Sequence, residues 1–385
     1  MKKNITFILA CAITCLLLFG CSPRNENHGD LIHINVSRSH PTKEININEI
    51  ATVEFLQLPV YDDFLFRGNP RVITENKIVF GDTQNGDVLF FSRDGRPLSR
   101  FNHRGQGPQE YNNITRLLFD EETDEVFILS QDRLLVFSST GVYKRTLSLP
   151  EQMSLPDIAI FDDEKLLLLR NYSFVGDPQN PEFWLISRED GHLIEMIDLP
   201  KDDPVTTFHM VRDDNMVSIM MAPTNHIVRY KDGFLLSEFS LDTVFFLSPN
   251  RELTPIMTRS PAIQSMNPIT FVNSFVEASD YQFFHAVTVR LDNNRLPQRF
   301  LMRNRRTGAV YEQRFIFDEF RGRELFISPN NIATTQNSRI GLISLDLTEL
   351  QDALDDGKLS GRLKEIVEQS DFDGNNVFML LHFRD

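Results

Sequence analysis

The feature that most limits how this chain can fold is a recurring hairpin. Residues 87–101 read DVLFFSRDGRPLSRF, residues 133–147 read RLLVFSSTGVYKRTL, and residues 183–197 read FWLISREDGHLIEMI. Each is an apolar strand, a short turn ending in glycine, and a returning strand. Glycine suits that position because a tight hairpin turn needs positive φ. Two weaker copies follow, VFFLSPN at 244–250 and FLMRNRRTG at 300–308. In the first of these Asn250 stands where glycine is expected, a substitution that a left-handed site tolerates. The markers Gly95, Gly141, Gly191, Asn250 and Gly308 are about 46, 50, 59 and 58 residues apart, near the ~40–50-residue period of propeller blades.

Further strand pairs lie between the hairpins. Ile114 to Phe119 and Glu125 to Leu129 flank an acidic turn, as do Ile158 to Phe161 and Lys165 to Leu169. Each interval therefore holds about four strands, the content of one blade. Phenylalanine occurs 32 times, which suits pleated, half-buried surfaces. Five hairpins and a C-terminal partial unit predict an all-β fold, a six-bladed β-propeller. Asn48 to Leu58 and Val377 to Phe383 are both strand-like and predict closure of the ring by the two ends of the chain. One stretch is helical by pattern. Thr348 and Gln351 resemble a capping box, Leu347, Leu350 and Leu354 follow at helical spacing, and Gly357 can end the helix. Leu359, Leu363, Ile366 and Val367 extend it. This predicts a short helical insertion in the last blade.

The N terminus sets the address. Lys2 and Lys3 precede an apolar run from Ile5 to Phe19, then Gly20 and Cys21. A basic head and an apolar stretch shorter than the ~20 residues of a membrane span describe a secretory leader. Cysteine directly after the small residue makes it a lipoprotein leader, cut before Cys21, whose sulfur takes the lipid. The expected layout is a signal peptide at 1–20, a flexible tether at 21–43 and the propeller at 44–385. The expected place is the cell envelope, lipid-anchored at the outer membrane on its periplasmic or surface face. Cys11 and Cys15 leave with the leader, so the body has no thiol, no disulfide, no cysteine catalysis and no thiolate metal site. Losing Lys2 and Lys3 takes the net charge from −15 to −17. That argues against nucleic acid as a partner, since phosphate backbones are bound by basic surfaces.

After the first hairpin comes Asn102-His-Arg-Gly-Gln-Gly-Pro-Gln-Glu-Tyr111. With the leader, the early strand from Ala51 to Leu58 and the late helical insertion, it resembles a signature of the six-bladed β-propeller lipoproteins of Bacteroidetes, related in shape to NHL and TolB-like propellers. Their Gly-Gln-Gly-Pro-x-Glu-Tyr is matched at Gly105, Gln106, Gly107, Pro108, Glu110 and Tyr111. The resemblance runs along nearly the whole mature chain and is sharpest from Ala51 to Pro150. The chain departs from it at Gly374-Asn375-Asn376, where members often carry Asn-Pro. The resemblance implies architecture and address more than activity.

Within that loop Arg104, Gln106, Glu110 and Tyr111 are candidate ligand-binding residues, a set that can hydrogen-bond sugar hydroxyls or a carboxylate. The competing reading makes the loop a rigid crossover with Tyr111 packed and Glu110 paired to Arg104. Asp371-Phe-Asp-Gly-Asn375 only partly resembles a calcium loop and reads as a turn. The histidines, among them His103, His192, His209, His226 and His285, show no ligand spacing. There is no Gly-x-Ser-x-Gly and no phosphate-cradling glycine loop. Arg303, Arg305 and Arg306 read as a solvated hairpin tip. Trp184 reads as a core aromatic. Tyr281-Gln-Phe-Phe-His285 could stack on a sugar, with alternation placing half of it in the core. The expectation is a binding or scaffold module for a glycan, peptide or envelope protein, with no cofactor and no catalytic residue. The alternative is a lactonase, lyase or hydrolase using a divalent metal in the channel. The two differ in whether three or four Asp, Glu, Asn or His side chains converge at one mouth.

Overall fold

The computed structural model describes residues 31–385 apart from 60–63, 65, 67, 84, 132, 150–153, 172–181, 201, 204, 206–207, 214–215, 222–224, 294, 333–336, 338 and 371–374. Six blades form the propeller. Blade 1 is Val72–Ile73, Lys77–Gly81, Asp87–Ser92 and Pro97–Asn102, and blade 2 is Arg116–Asp120, Glu125–Ser130, Arg133–Phe137 and Tyr143–Leu147. Blade 3 is Ser154–Ile160, Lys165–Asn171, Glu182–Ser187 and Leu193–Ile197. Blade 4 is Ile227–Tyr230, Gly233–Leu236, Thr243–Leu247 and Leu253–Ser260, and blade 5 is Thr270–Ala278, Tyr281–Thr288, Gln298–Asn304 and Val310–Ile316. Blade 6 has three strands, Ile340–Leu345, Val377–Phe383 and Ala51–Gln57.

The first strands of blades 1 to 4 touch one another in order and line the channel. In blade 6 a short helix, Pro329–Ile332, packs against the first strands of blades 4 and 5 and takes that inner place. The ring closes as expected. Ala51–Gln57 pairs antiparallel with Val377–Phe383, with Ala51 opposite Phe383 and Gln57 opposite Val377. A hairpin of Phe208–Asp213 and Met216–Met221 stands apart between blades 3 and 4.

The core is distributed between blades. Each of six apolar clusters joins two neighbours around the ring. Between blades 1 and 2, for example, Phe90 meets Phe119 edge-on at 5.1 Å. A strand in the middle of a blade therefore has a core on both faces, and Glu125–Ser130 is buried at every position. This explains why Phe283, Phe284 and His285 are all buried where alternation predicts half. Burial of one such phenylalanine contributes about 1.5–3 kcal/mol.

The recurring glycines have a second reason beyond φ. Gly141 has φ +84°, and a Cβ there would lie 2.5 Å from the Cβ of Phe101 in the preceding blade. Each of the first three such turns is wedged this way, Gly95 on Gln57 and Gly191 on Ser148. In blade 4 the left-handed residue is Arg251 at φ +67°, one position after Asn250. Arg251 Nη1 instead reaches Glu195 Oε2 of blade 3 at 2.6 Å.

Two expectations shift. The ordered body starts well before residue 44. Ile32–Asn35 adds parallel to the outer strand of blade 4, and Thr42–Asn46 adds parallel to that of blade 5. Ile32, Ile34 and Val36 are buried, so apolar burial draws in what composition alone reads as tether. The insertion lies in blade 6 as two helices, Leu347–Asp355 and Gly361–Glu368. Its cap is Asp346, which accepts from the Glu349 N–H at 3.1 Å, two residues ahead of Thr348. Gly357 follows the first helix at φ +66°.

Candidate functional site at the channel mouth

The crossover from blade 1 to blade 2 folds back on itself. Tyr111 is fully buried. Its hydroxyl donates to the Gly86 carbonyl at 2.6 Å and accepts the His103 N–H at 3.1 Å. Burial pushes this phenol up to about 12. Glu110 Oε2 accepts the Gly107 N–H at 2.8 Å. Arg133 donates to the Gly107 and Glu110 carbonyls at 3.1 and 2.8 Å. His103 stacks on Phe137 at 5.1 Å, with its Nε2 2.7 Å from the Gly141 carbonyl. The loop thus joins two blades through its backbone. Arg104 and Gln106 are exposed, and the stem of Arg104 lies against Gly86. Of the four candidates, Glu110 and Tyr111 are occupied inside the loop and the other two face solvent. Cys21 and residues 371–374 lie outside the described residues.

A second constellation forms where the inner strands begin. A cavity of about 610 Å³ is lined by Arg71, Asp82, Arg116, Asp157 and Asn225, among others. These residues come from the entrances to blades 1 to 4, so the channel mouth collects them from four distant parts of the chain. Asp82 first serves its own turn, accepting from Asn85 N and Nδ2 at 3.1 and 2.9 Å. Arg71 Nε donates to the Gly81 carbonyl at 3.3 Å. Loss of water around Arg71, then the like charge of Arg116, lowers its pKa, while Asp82 opposes the shift. Asn225 Nδ2 donates to Asn330 Oδ1 at 2.8 Å, tying blade 4 to the inner helix of blade 6.

Asp157 is the hinge of this mouth. Its Oδ2 accepts the His226 and Ile227 N–H groups, each at 2.9 Å. Those donors open the first strand of blade 4, and a blade 3 carboxylate satisfies them. Burial raises the Asp157 pKa against the pull of those bonds. The imidazole of His226 is buried, and its Nδ1 donates to the Ser237 carbonyl at 2.9 Å. Burial lowers its pKa, with the Asp157 charge opposing. Cationic donors on Arg71 and Arg116, an amide on Asn225 and two carboxylates therefore meet in one concavity. Such a mouth can hold a ligand bearing several oxygen acceptors and hydroxyl donors.

At the other end of the channel Arg188 is a structural clamp. It donates to Asp120 Oδ2 at 2.7 Å and Glu125 Oε2 at 3.2 Å. Arg145 binds the same Glu125 carboxylate and the Arg188 carbonyl. Among the described residues no three His, Cys, Asp or Glu side chains converge to hold a metal ion. Trp184 is buried, with its Nε1 donating to Glu182 Oε2 at 3.1 Å and Arg170 over its ring at 4.6 Å.

The mouth residues carried no signal in the sequence, because Arg71, Arg116, Asp157 and Asn225 form no local motif. What marks them is position alone: Arg71 and Asn225 precede an inner strand, Arg116 opens one and Asp157 lies within one. The repeated turn serine is another missed feature. Ser92, Ser138, Ser187 and Ser248 each accept backbone N–H groups of their own hairpin turn.

The model of a domain of unknown function, DUF4934, matches residues 31–382. No curated protein matches the chain. An inferred exported protein of Bacteroides fragilis is similar in structure, with a TM-score of 0.62 at 15% identity, covering 92% of this chain and 100% of that one. The WD40 domain of Neurospora crassa Pan2 has a TM-score of 0.37 at 14% identity, covering 66% and 70%. A protein of Bacteroides caccae has a TM-score of 0.32 at 10% identity, covering 65% and 76%. The first match shows the fold, and the other two add no argument.

Proposed function

The chain belongs to the DUF4934 family, and we propose that it is a lipid-anchored binding module of a bacterial envelope that takes a glycan at its channel mouth. One observation carries this reading. Arg71, Arg116, Asp157 and Asn225 meet in a single cavity of about 610 Å³, and dense, mixed donors and acceptors match the hydroxyl-rich surface of a sugar. Peptides and envelope proteins are the other ligands that such a mouth could accept. Arg104 and Gln106 serve as outer contacts, with Glu110 and Tyr111 as their rigid support.

Lipidation at Cys21 rests on the leader, and Ser22 after it is compatible with sorting to the outer membrane. No helix among the described residues is long and apolar enough to cross a membrane. The Bacteroides fragilis relative is itself described as exported by inference.

Two experiments test the reading. A fluorescent soluble body, starting after Cys21, is screened on an array of envelope and dietary glycans. A hit that Arg71→Gln and Arg116→Gln each weaken supports the mouth, while a hit indifferent to both rejects it. Separately, Cys21→Ser should abolish incorporation of labelled fatty acid and release the protein from the membrane fraction. A variant that stays membrane-bound overturns the anchor.

A further inference from the structure

A different cavity, of about 360 Å³, opens where the inner strands of blades 4 and 5 end. Its lining includes five cationic residues, Arg229, Lys231, Arg305, Arg339 and Arg384, against two acidic ones, Glu277 and Asp385. In a chain of net charge −15 that concentration runs against composition. It also gathers five regions of sequence: the first hairpin of blade 4, two turns of blade 5 and two strand ends of blade 6.

The carboxylates are already engaged. Asp385 pairs with Arg339 at 2.5 Å. Glu277 Oε1 accepts from Gln282 at 2.7 Å, and its Oε2 lies 3.9 Å from Arg305. Arg305 also donates to the Ser279 carbonyl at 3.2 Å, and from its exposed hairpin turn it reaches the cavity rim. The side chains of Arg229, Lys231 and Arg384 make no hydrogen bond or ion pair among the described residues. Arg229 lies over the Phe234 ring at 4.8 Å and Lys231 over the Tyr230 ring at 5.3 Å. Asp232 acts on Arg229 only through its field, and loss of water lowers the Arg229 pKa. Lys231 and Arg384 thus border the concavity with their donors unspent, while the Arg229 guanidinium lies on the blade 3 side of its strand, where it and Phe234 line another cavity; a guanidinium fork matches an oxyanion bidentately.

We propose that this basin binds a small organic sulfate or phosphate monoester, its oxyanion held by Lys231 and Arg384. The site is separate from the channel mouth, so it stands or falls independently of the glycan reading.

The test is calorimetry on the soluble body in chloride buffer of matched ionic strength. Glucose 6-sulfate, glucose 6-phosphate, inorganic sulfate and inorganic phosphate are the probes. Saturable binding of at least one organic ester is expected, tighter than that of its inorganic anion. Arg384→Gln, at an exposed position near the chain end, should weaken it about tenfold, as should Lys231→Gln, the usual effect of one lost charge-assisted hydrogen bond. Arg71→Gln should leave it unchanged. The preference between the two esters identifies the source. The proposal is overturned if none of the four binds saturably, if inorganic anions bind as well as the esters, if the Lys231→Gln, Arg384→Gln double variant binds like the parent, or if Arg71→Gln weakens binding equally.

Discussion

Gly105→Ala gives a prediction whose sign depends on one other residue. Gly105 has no positive φ, so nothing in its backbone demands glycine; the demand is space. A Cβ there would lie 1.9 Å from Glu110 Oε2 and 2.5 Å from its Cδ. Alanine must evict the carboxylate, and the carboxylate is what accepts the Gly107 N–H at 2.8 Å. A hydrogen bond to a charged group is worth about 1.5–3 kcal/mol, and the partial exposure of Glu110 cuts this to about 1–2 kcal/mol. Alanine also restricts the unfolded chain and returns about 0.4–1 kcal/mol. Gly105→Ala alone should therefore destabilise by roughly 0–1.6 kcal/mol. In a Glu110→Ala background there is no carboxylate to evict, and the same change should stabilise by about 0.4–1 kcal/mol. Urea unfolding of the soluble body, with equal slopes across the four proteins, reads both effects. Additivity of the two substitutions within about 0.3–0.5 kcal/mol would refute the claim that Gly105 exists to seat Glu110.

Three more outcomes follow from the geometry. Arg188→Leu leaves Asp120 and the buried Glu125 short of a cation and should cost about 3–5 kcal/mol in urea unfolding; a cost below about 1 kcal/mol would mean that Arg145 alone satisfies them. Ile34→Ala should cost about 2–4 kcal/mol, since Ile34 is fully buried on blade 4, whereas a change in a tether would cost nothing. His226 has a folded-state pKa below its ordinary 6.5 because it is buried, so the unfolded chain takes the proton first. Its contribution is complete above pH 6.5 and is lost as pH falls from there toward the folded value. His226→Gln should flatten the decline in stability between about pH 6.5 and 5 relative to the parent, and parallel profiles would rule that titration out.

Much of the architecture was legible because a propeller writes itself locally. Each outer hairpin needs a left-handed turn, so glycine appears at Gly95, Gly141, Gly191 and Gly308, and the count of hairpins gives the count of blades. Val377–Phe383 and the early strand were readable as a closing pair for the same reason. The N-terminal strands were not legible, because Ile32–Asn35 and Thr42–Asn46 are short and their partners lie more than two hundred residues away. Strand alternation misled at Phe283 and Phe284, because a strand with a blade on either side has no solvent face.

The site was opaque for a reason rooted in the same design. Residues that act together in a propeller are neighbours around the ring, so Arg71, Arg116 and Asp157 meet at one mouth from three different blades. The Gly-Gln-Gly-Pro loop stands out in the sequence because many of its residues serve one another within ten positions. That is also why Glu110 and Tyr111 are used up: a dense local motif needs its own side chains to hold its shape. Binding capacity is better sought where polar groups are brought together by distant segments and keep donors unspent, as at the Lys231 and Arg384 basin. A propeller can change such residues one blade at a time without disturbing a turn or a core, and the ligand specificity of this chain should follow the mouths of its channel rather than its most conspicuous motif.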